Sequence, residues 1–337
     1  MAVEFGVVDH LDRQNVPVHE TYDSRLKLME LFDKAGFSTF HITEHHFTPL
    51  GLAPSPLIFL SAAARITQRI RLAPLVLILP LYNPLRLAAE LCMVDHLSKG
   101  RLDIGAGRGI SPYELAHYNI NHVEAQSIYN EAYDVVLMAL TRDTVDFRGQ
   151  YFKYFNVPIE MRPYQKPHPP LWYATSSEDG AAWAGSQNHN VAFLAPAPRA
   201  KVLVEAYKRG RASNKENASR PIAKIGIARH LYLADTDEIA RVEGAEAYTA
   251  WFEKYAFLWQ KYDPRPPPRI EDVLRRDAGR MITGSPRTMR EEIARQLEQT
   301  GANYFITRFA YGNLTYEQSA RSLDLFVTEV MPHFRGK

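Results

Sequence analysis

Residues 37–49 read Phe-Ser-Thr-Phe-His-Ile-Thr-Glu-His-His-Phe-Thr-Pro, which sets Glu44, His45 and His46 side by side. Histidine changes charge near neutral pH, so it can give or take a proton or hydrogen-bond a ligand. The stretch begins with aromatic and β-branched residues alternating with polar ones, which is strand chemistry. The acid and the two imidazoles therefore fall just past a strand end. In an α/β barrel that C-terminal edge is where chemistry is built. The equally bland reading is a histidine satisfied in the core. His41-Ile-Thr-Glu44-His45 also fits the H-x-x-E-H pattern of some zinc proteases. That pattern needs a helix to bring both histidines to one face, so no metal site is expected here.

Two further stretches could hold an anion. Gly105-Ala-Gly107-Arg108-Gly109 resembles a dinucleotide fingerprint, but its third glycine comes one residue early and no clear helix signal follows Ser111-Pro112. Its glycines would let a flat ligand approach the backbone, and Arg108 could pair with an anion; the plain reading is a tight turn. Thr175-Ser176-Ser177 precedes an apolar helix, where hydroxyls cap the helix and free N–H groups bind phosphate. A simple cap without a ligand is the commoner outcome. Asp95-His96-Leu97-Ser98-Lys99-Gly100-Arg101 reads as a structural ion pair and turn at the opposite rim. Cys92, the only cysteine, excludes an internal disulfide and sits on an apolar helix face as an inert thiol.

The elements that must position these groups follow from periodicity. Strand signals at 3–8, 37–43, 70–79, 101–104, 170–174, 191–194, 223–233 and 303–308 alternate with helical signals, eight of each. Near-continuous apolar strands alternating with helices indicate a parallel sheet covered on both faces. The expected fold is a single (β/α)8 TIM barrel over 1–337, with insertions after strands 4 and 7. Segments 105–124, 144–170 and 260–288 break the rhythm; the second holds a hairpin signal. The third holds Pro264, Pro266, Pro267, Pro268 and a basic helix, and reads as an active-site lid.

Composition bounds the rest. With 46% apolar and 23% charged residues and a net charge of +2, nothing argues for nucleic acid. The most apolar run is about ten residues, too short for a membrane span, and no signal peptide is evident. A cytoplasmic protein is the expectation.

Seven blocks, taken in order, resemble the bacterial luciferase-like flavin monooxygenase family. They are Thr43-Glu-His-His-Phe47, Leu79-Pro-Leu-Tyr-Asn-Pro84, Asp95-x-x-Ser-x-Gly-Arg-Leu-Asp-Ile-Gly-Ala-Gly-Arg-Gly109, Arg162-Pro-x-Gln-x-Pro-His-Pro-Pro170, Ala174-Thr-Ser-Ser177, Gly284-Ser-Pro286 and Val330-Met-Pro-His-Phe334. The resemblance implies a TIM barrel that binds reduced FMN at its C-terminal rim, uses O2 through a C4a-peroxyflavin, and forms a homodimer through early helices. It implies His45 as the catalytic histidine, supported by His46 or Tyr113. It implies a non-proline cis peptide at Leu75–Val76 that supports the flavin ring. It also implies phosphate contacts from Arg108, Ser176 and Ser177, and an Arg308 that faces the substrate. Tyr113, Tyr118, Trp172, Phe309 and Tyr311 line an aromatic pocket or are ordinary rim packing. With no nicotinamide fingerprint, electrons would arrive from a separate flavin reductase. Two departures stand out: Gly107 replaces a cysteine of the light-emitting luciferases, and Ser127 replaces a phosphate-binding arginine. Deazaflavin (F420)-dependent hydride transfer and non-catalytic flavin binding are the alternatives the same barrel allows.

Overall fold

Parallel strands whose side chains alternate between two apolar layers can close only by wrapping, and that is what this chain does. The strands are β1 Glu4–Asp9, β2 Thr39–Ile42, β3 Arg71–Pro74, β4 Leu77–Ile78 and β5 Ile104–Gly107. They continue with β6 Thr144–Arg148, β7 Lys153–Pro158, β8 Leu171–Ala174, β9 Asn190–Phe193, β10 Ile225–Leu233, β11 Met281–Gly284 and β12 Tyr304–Arg308. The main ladder runs β3-β2-β1-β12-β10-β9-β8-β5-β4. Every neighbouring pair along it is parallel.

β3 and β4 are two halves of the strand expected at 70–79, parted at Leu75–Val76, where the peptide bond is cis. The ends of the ladder are thus consecutive pieces of one segment. A bridge between Leu72 and Leu102 ties them further, and the sheet is a nearly closed barrel. The computed structural model describes residues 3–263, 265, 269–272 and 279–335. Pro264, Pro266, Pro267 and Pro268, and residues 273–278 of the expected basic helix, lie outside the described residues.

The two layers separate cleanly. Val8, Ala73, Trp172, Ala192, Ala228, Tyr304 and Ile306 fill the barrel. Phe5, Val7, Phe40, Ile42 and Phe305 point the other way, onto Leu28, Phe32, Leu60 and Phe326 of the surrounding helices. Helices are α1 Val18–Ala35, α2 Pro56–Ile66, α3 Pro84–Leu97, α4 Pro112–His117, α5 Ala125–Thr141, α6 Glu178–Ser186, α7 Ala197–Ser213 and α8 Asp237–Tyr262. α9 Pro286–Thr300 and α10 Tyr316–Leu325 follow. α1 stops at Gly36, which has φ 79° and donates back to Asp33 as a left-handed cap must.

Three expectations change in detail. A short helix, α4, does follow Ser111, whose hydroxyl caps it by accepting the Glu114 N–H. Six residues give too little periodicity to read, which is why the sequence offered no helix there. β11 is an extra strand beside β10, within the segment expected to be all insertion. At the opposite rim Asp95 pairs with no cation among the described residues: its carboxylate accepts the backbone and side-chain N–H groups of Gln165. Arg101 instead donates to the carbonyls of Ala64, Thr67 and Ile70. Cys92 is buried, and burial pushes its thiol up to about 11. The hairpin expected in 144–170 is β6 paired antiparallel with β7.

Candidate active site

Parallel pairing places the ends of β1, β2, β4, β5, β8, β10 and β12 on one rim, and the sequence loads those ends with polar side chains. After β2 the chain turns sharply; Phe47, with φ 58°, takes a left-handed conformation uncommon for a bulky residue. The turn sends the neighbouring side chains of Glu44, His45 and His46 to different partners.

His45 Nδ1 lies 3.1 Å from Glu114 Oε1. A carboxylate only accepts, so the His45 proton sits on Nδ1 and the lone pair on Nε2. Glu114 Oε2 accepts the backbone N–H of His46 at 2.8 Å. His45 keeps 13% side-chain exposure, so its ring reaches the mouth while Glu114, at 4%, stays beneath it. Gly51 is needed behind the ring, since a Cβ there would meet His45 Cβ at 2.7 Å.

His46 is fully engaged. Its Nε2 lies 2.7 Å from Glu44 Oε1, and its Nδ1 lies 2.9 Å from the Tyr118 hydroxyl. Glu44 Oε2 accepts Ile78 N–H at 2.9 Å and the Tyr82 hydroxyl at 3.0 Å, tying β2 to the β4 side of the broken strand. His41 goes elsewhere: it is buried inside the barrel, edge-on to Trp172 with centroids 4.5 Å apart. Burial and the Lys224 charge lower its imidazole to about 3. The H-x-x-E-H residues thus diverge. Among the described residues no cluster of three or more His, Cys, Asp and Glu side chains could hold a metal.

On the β5 side, Gly107 lies against Val76: a Cβ at 107 would meet Val76 Cγ2 at 2.4 Å. Arg108 is exposed and has no hydrogen-bond partner among the described residues. Beyond β8, Thr175 Oγ1 accepts the Ser177 N–H and Ser177 Oγ accepts the Gly180 N–H, capping α6. The Ser176 carbonyl accepts from Arg199, and Ser176 and Ser177 are exposed. The residues therefore fit an anionic flavin nucleotide: a free guanidinium, and a capped helix start on an exposed segment.

α8 and α4 roof this rim with aromatics. Trp251 and Tyr255 stack at 5.4 Å, Tyr255 and Trp259 at 5.7 Å, and Tyr113 meets Trp259 edge-on at 5.9 Å. Tyr113 is thus part of the roof's packing. Phe309 and Tyr311 are fully buried, Phe309 among Phe32, Phe37 and Phe326, so Phe309 is core. Arg308 is buried and donates to His230 Nε2 at 2.8 Å. Burial lowers it to about 10, against the pull of Asp9 and Asp12. Glu114, His10 and His230 carry no signal in the sequence beyond their residue type, and only the fold brings them to the rim. A groove lined by His96, Met161, Arg162 and Tyr164 lies at the opposite rim, away from all of this.

The family model described as luciferase-like monooxygenase matches residues 3–304. Limonene 1,2-monooxygenase of Rhodococcus erythropolis is 27% identical over 331 residues, covering 96% of this chain and 83% of its own. The oxygenase component of a flavin-dependent trigonelline monooxygenase from Acinetobacter baylyi is 25% identical over 264 residues, 74% of this chain and 72% of its own. The crystal structure of monooxygenase RslO1 from Streptomyces bottropensis matches with a TM-score of 0.88 at 26% identity, covering 98% of this chain and 99% of that one.

Proposed function

The chain belongs to the luciferase-like monooxygenase family, and from that premise we propose that it is the oxygenase half of a two-component system that oxidises a small organic substrate with reduced FMN and O2. The observation that carries this reading is the His45–Glu114 pair, which leaves His45 Nε2 as a basic lone pair at the barrel mouth.

Bound reduced flavin supplies the electrons that let dioxygen attack an organic molecule. The chain's own part is positioning, proton handling and dryness. Arg108 and the Thr175, Ser176 and Ser177 segment would hold the phosphate. Val76 and Gly107, packed on each other, would meet the ring system. His45 Nε2 takes a proton from, and returns it to, the reacting oxygen. His46, with both ring nitrogens engaged, acts by fixing Glu44 and the turn. The aromatic roof of α4 and α8 keeps water from the reacting centre.

A separate NAD(P)H:flavin reductase is the electron donor in this reading, since the chain carries no nicotinamide fingerprint. The trigonelline relative is likewise named an oxygenase component. No helix among the described residues is long and apolar enough to cross a membrane. Ile58 of α2 and Met93 and Leu97 of α3 stand exposed, which supports a homodimer through these helices; sedimentation of the purified chain as a monomer would remove that element.

The test mixes the protein with chemically reduced FMN, then with air-saturated buffer, and follows flavin absorbance. Bound flavin should reoxidise more slowly than free flavin, and His45→Ala should lose substrate oxidation by about 100-fold or more while retaining FMN. Reoxidation at the free-solution rate, with tight binding of reduced F420 instead, would make the chain a hydride-transfer enzyme.

A further inference from the structure

The roof over the mouth is built from different aromatics than the core. Behind the barrel wall the rings that pack together are phenylalanines: Phe5 on Phe326, Phe32 on Phe37, and Phe309 on both Phe37 and Phe326. The roof series on α8 is Trp251, Tyr255 and Trp259, which recur at i, i+4 and i+8 and so share one face of the helix. Indole and phenol rings give up an electron far more readily than a phenyl ring, and packing alone asks for no such property. Phe252 and Phe257 of the same helix stand outside the series.

The rings are close and nearly parallel. Trp251 and Tyr255 have centroids 5.4 Å apart and planes at 18°; Tyr255 and Trp259 have 5.7 Å and 21°. Tyr113 of α4 meets Trp259 at 5.9 Å, and Tyr262 at the end of α8 meets Tyr113 at 5.4 Å. At the inner end Trp251 is buried and lies 5.8 Å from His10, whose ring is 5.4 Å from that of His45. At the outer end Tyr262 is 44% exposed. The series therefore runs from beside the reacting centre to solvent, and its widest step is the 5.9 Å between Trp259 and Tyr113. Electrons tunnel readily between rings at such separations. The two ends also set a direction. Positive charge on the Trp251 indole is opposed by the Arg308 guanidinium, 5.6 Å from its ring centre. The Tyr262 phenol can shed its proton to water as it loses an electron, which leaves a neutral radical.

We infer that Trp251, Tyr255, Trp259, Tyr113 and Tyr262 form an electron relay that drains oxidising equivalents from the mouth when they miss the substrate. The oxidant is an oxygen-centred radical. It takes one electron from Trp251 and one proton from solvent, and becomes the corresponding hydroxyl compound. Trp251 is refilled from Tyr255, Tyr255 from Trp259, Trp259 from Tyr113 and Tyr113 from Tyr262. Tyr262 gives its proton to water, and a soluble thiol returns one electron and one proton to the phenoxyl radical. Two thiyl radicals then pair as a disulfide. The net change is reduction of the oxygen radical by a thiol, with His45 spared. That such an oxidant arises here rests on the oxygenase reading above; the conducting path does not.

The test is a light flash on protein loaded with oxidised FMN, whose excited state takes one electron from a nearby indole. Fluorescence anisotropy checks that FMN is bound, and transient absorbance follows the protein radicals. In the parent an indole-radical signal should give way to a tyrosyl signal, which added 2-mercaptoethanol removes. Tyr255→Phe keeps the ring and its stacking but loses the readily oxidised phenol. It should keep the indole signal and lose the tyrosyl one, a result that a merely structural role would not give. Tyr164→Phe, at the opposite rim, should change nothing. Under steady illumination, peptide mapping of Tyr255→Phe should find oxidation moved from Tyr262 to Trp251 and His45. With FMN bound, the relay is overturned by a parent without tyrosyl signal, or by a signal that Tyr255→Phe leaves intact. If FMN does not bind, the flavin reading falls and the path is tested without it. Azide radicals made by pulse radiolysis then oxidise the half-buried Trp259 directly, in a Trp183→Phe background that removes an exposed indole. Passage of the electron vacancy to tyrosine must vanish when Tyr113→Phe and Tyr255→Phe are added; persistence overturns the relay in that arm too.

Discussion

Glu114 lies 69 positions beyond His45 in the sequence, yet its carboxylate accepts a hydrogen bond from His45 Nδ1–H at 3.1 Å and from the His46 backbone N–H at 2.8 Å. A carboxylate that holds both a side chain and the adjoining backbone fixes the ring's tautomer and its tilt together. It sits on α4, whose start is fixed by the Ser111 cap, so the orientation of His45 depends on a helix of only six residues.

Glu114→Ala should therefore lower substrate turnover by about 10- to 100-fold while KM and FMN affinity stay near those of the parent. Glu114→Gln keeps one acceptor and should fall between the two. Steady-state kinetics with chemically supplied reduced FMN reads the difference. A change in KM alone would mean that Glu114 shapes the pocket and not the base.

Gly107 has a structural duty that can be measured apart from catalysis. Gly107→Ala would drive its methyl into Val76, 2.4 Å away, and should destabilise the fold by about 1–3 kcal/mol. Trimming the obstacle in a Gly107→Ala, Val76→Ala double variant should return much of that loss, giving a coupling visible in a double-mutant cycle by urea unfolding. Strict additivity would show that the clash is relieved by backbone movement instead.

Glu44 is a buried carboxylate satisfied by Ile78 N–H, the Tyr82 hydroxyl and His46 Nε2. Removing it leaves several buried donors unpaired, so Glu44→Ala should cost more than His46→Ala, about 2–4 kcal/mol against about 1–2. Thermal unfolding of the two variants decides the order. The reverse order would place the tie between β2 and β4 in His46 rather than in the acid.

The barrel was legible because its strands are short, apolar and separated by helices of ordinary length, so periodicity located seven of the eight expected strands closely; the fourth, expected at 101–104, instead runs Ile104–Gly107, through glycines that read as a turn. The break in the third strand was reached only through resemblance; nothing in Leu-Ala-Pro-Leu-Val-Leu marks a cis bond. The site was legible where residue types cluster in sequence, as at Glu44, His45 and His46. It was illegible where partners come from separate elements. Glu114 sits in a six-residue helix, His10 is one residue past β1, and His230 is buried within the C-terminal half of an apolar strand. Their chemistry exists only through contacts spanning 69, 78 and 241 positions. Phe309 shows the converse: an aromatic residue that reads as pocket lining is packed among Phe32, Phe37 and Phe326, because residue type cannot tell a wall from a core.

His41 gives a prediction about stability and pH that does not involve the active site. Buried against Trp172 and Tyr304 and near the Lys224 charge, its ring titrates only at about 3, compared with 6.5 for an unhindered imidazole. Above pH 6.5 the ring is neutral in both folded and unfolded chains and contributes no pH dependence. Below that, the unfolded chain takes up a proton that the folded chain refuses, so stability is lost as pH falls from 6.5 toward about 3. Each pH unit inside that window costs about 1.4 kcal/mol for one such group. His10, His230 and His189 are depressed in the same direction and add to the slope. His41→Phe keeps a ring against Trp172 and removes one of these protons. Urea unfolding at about pH 7 and about pH 5 should then show the variant losing less stability than the parent, by close to one proton's worth of slope. Parallel losses in the two proteins would mean that His41 protonates inside the folded barrel after all, with the ring free to reach water or a counter-charge that the present packing denies it.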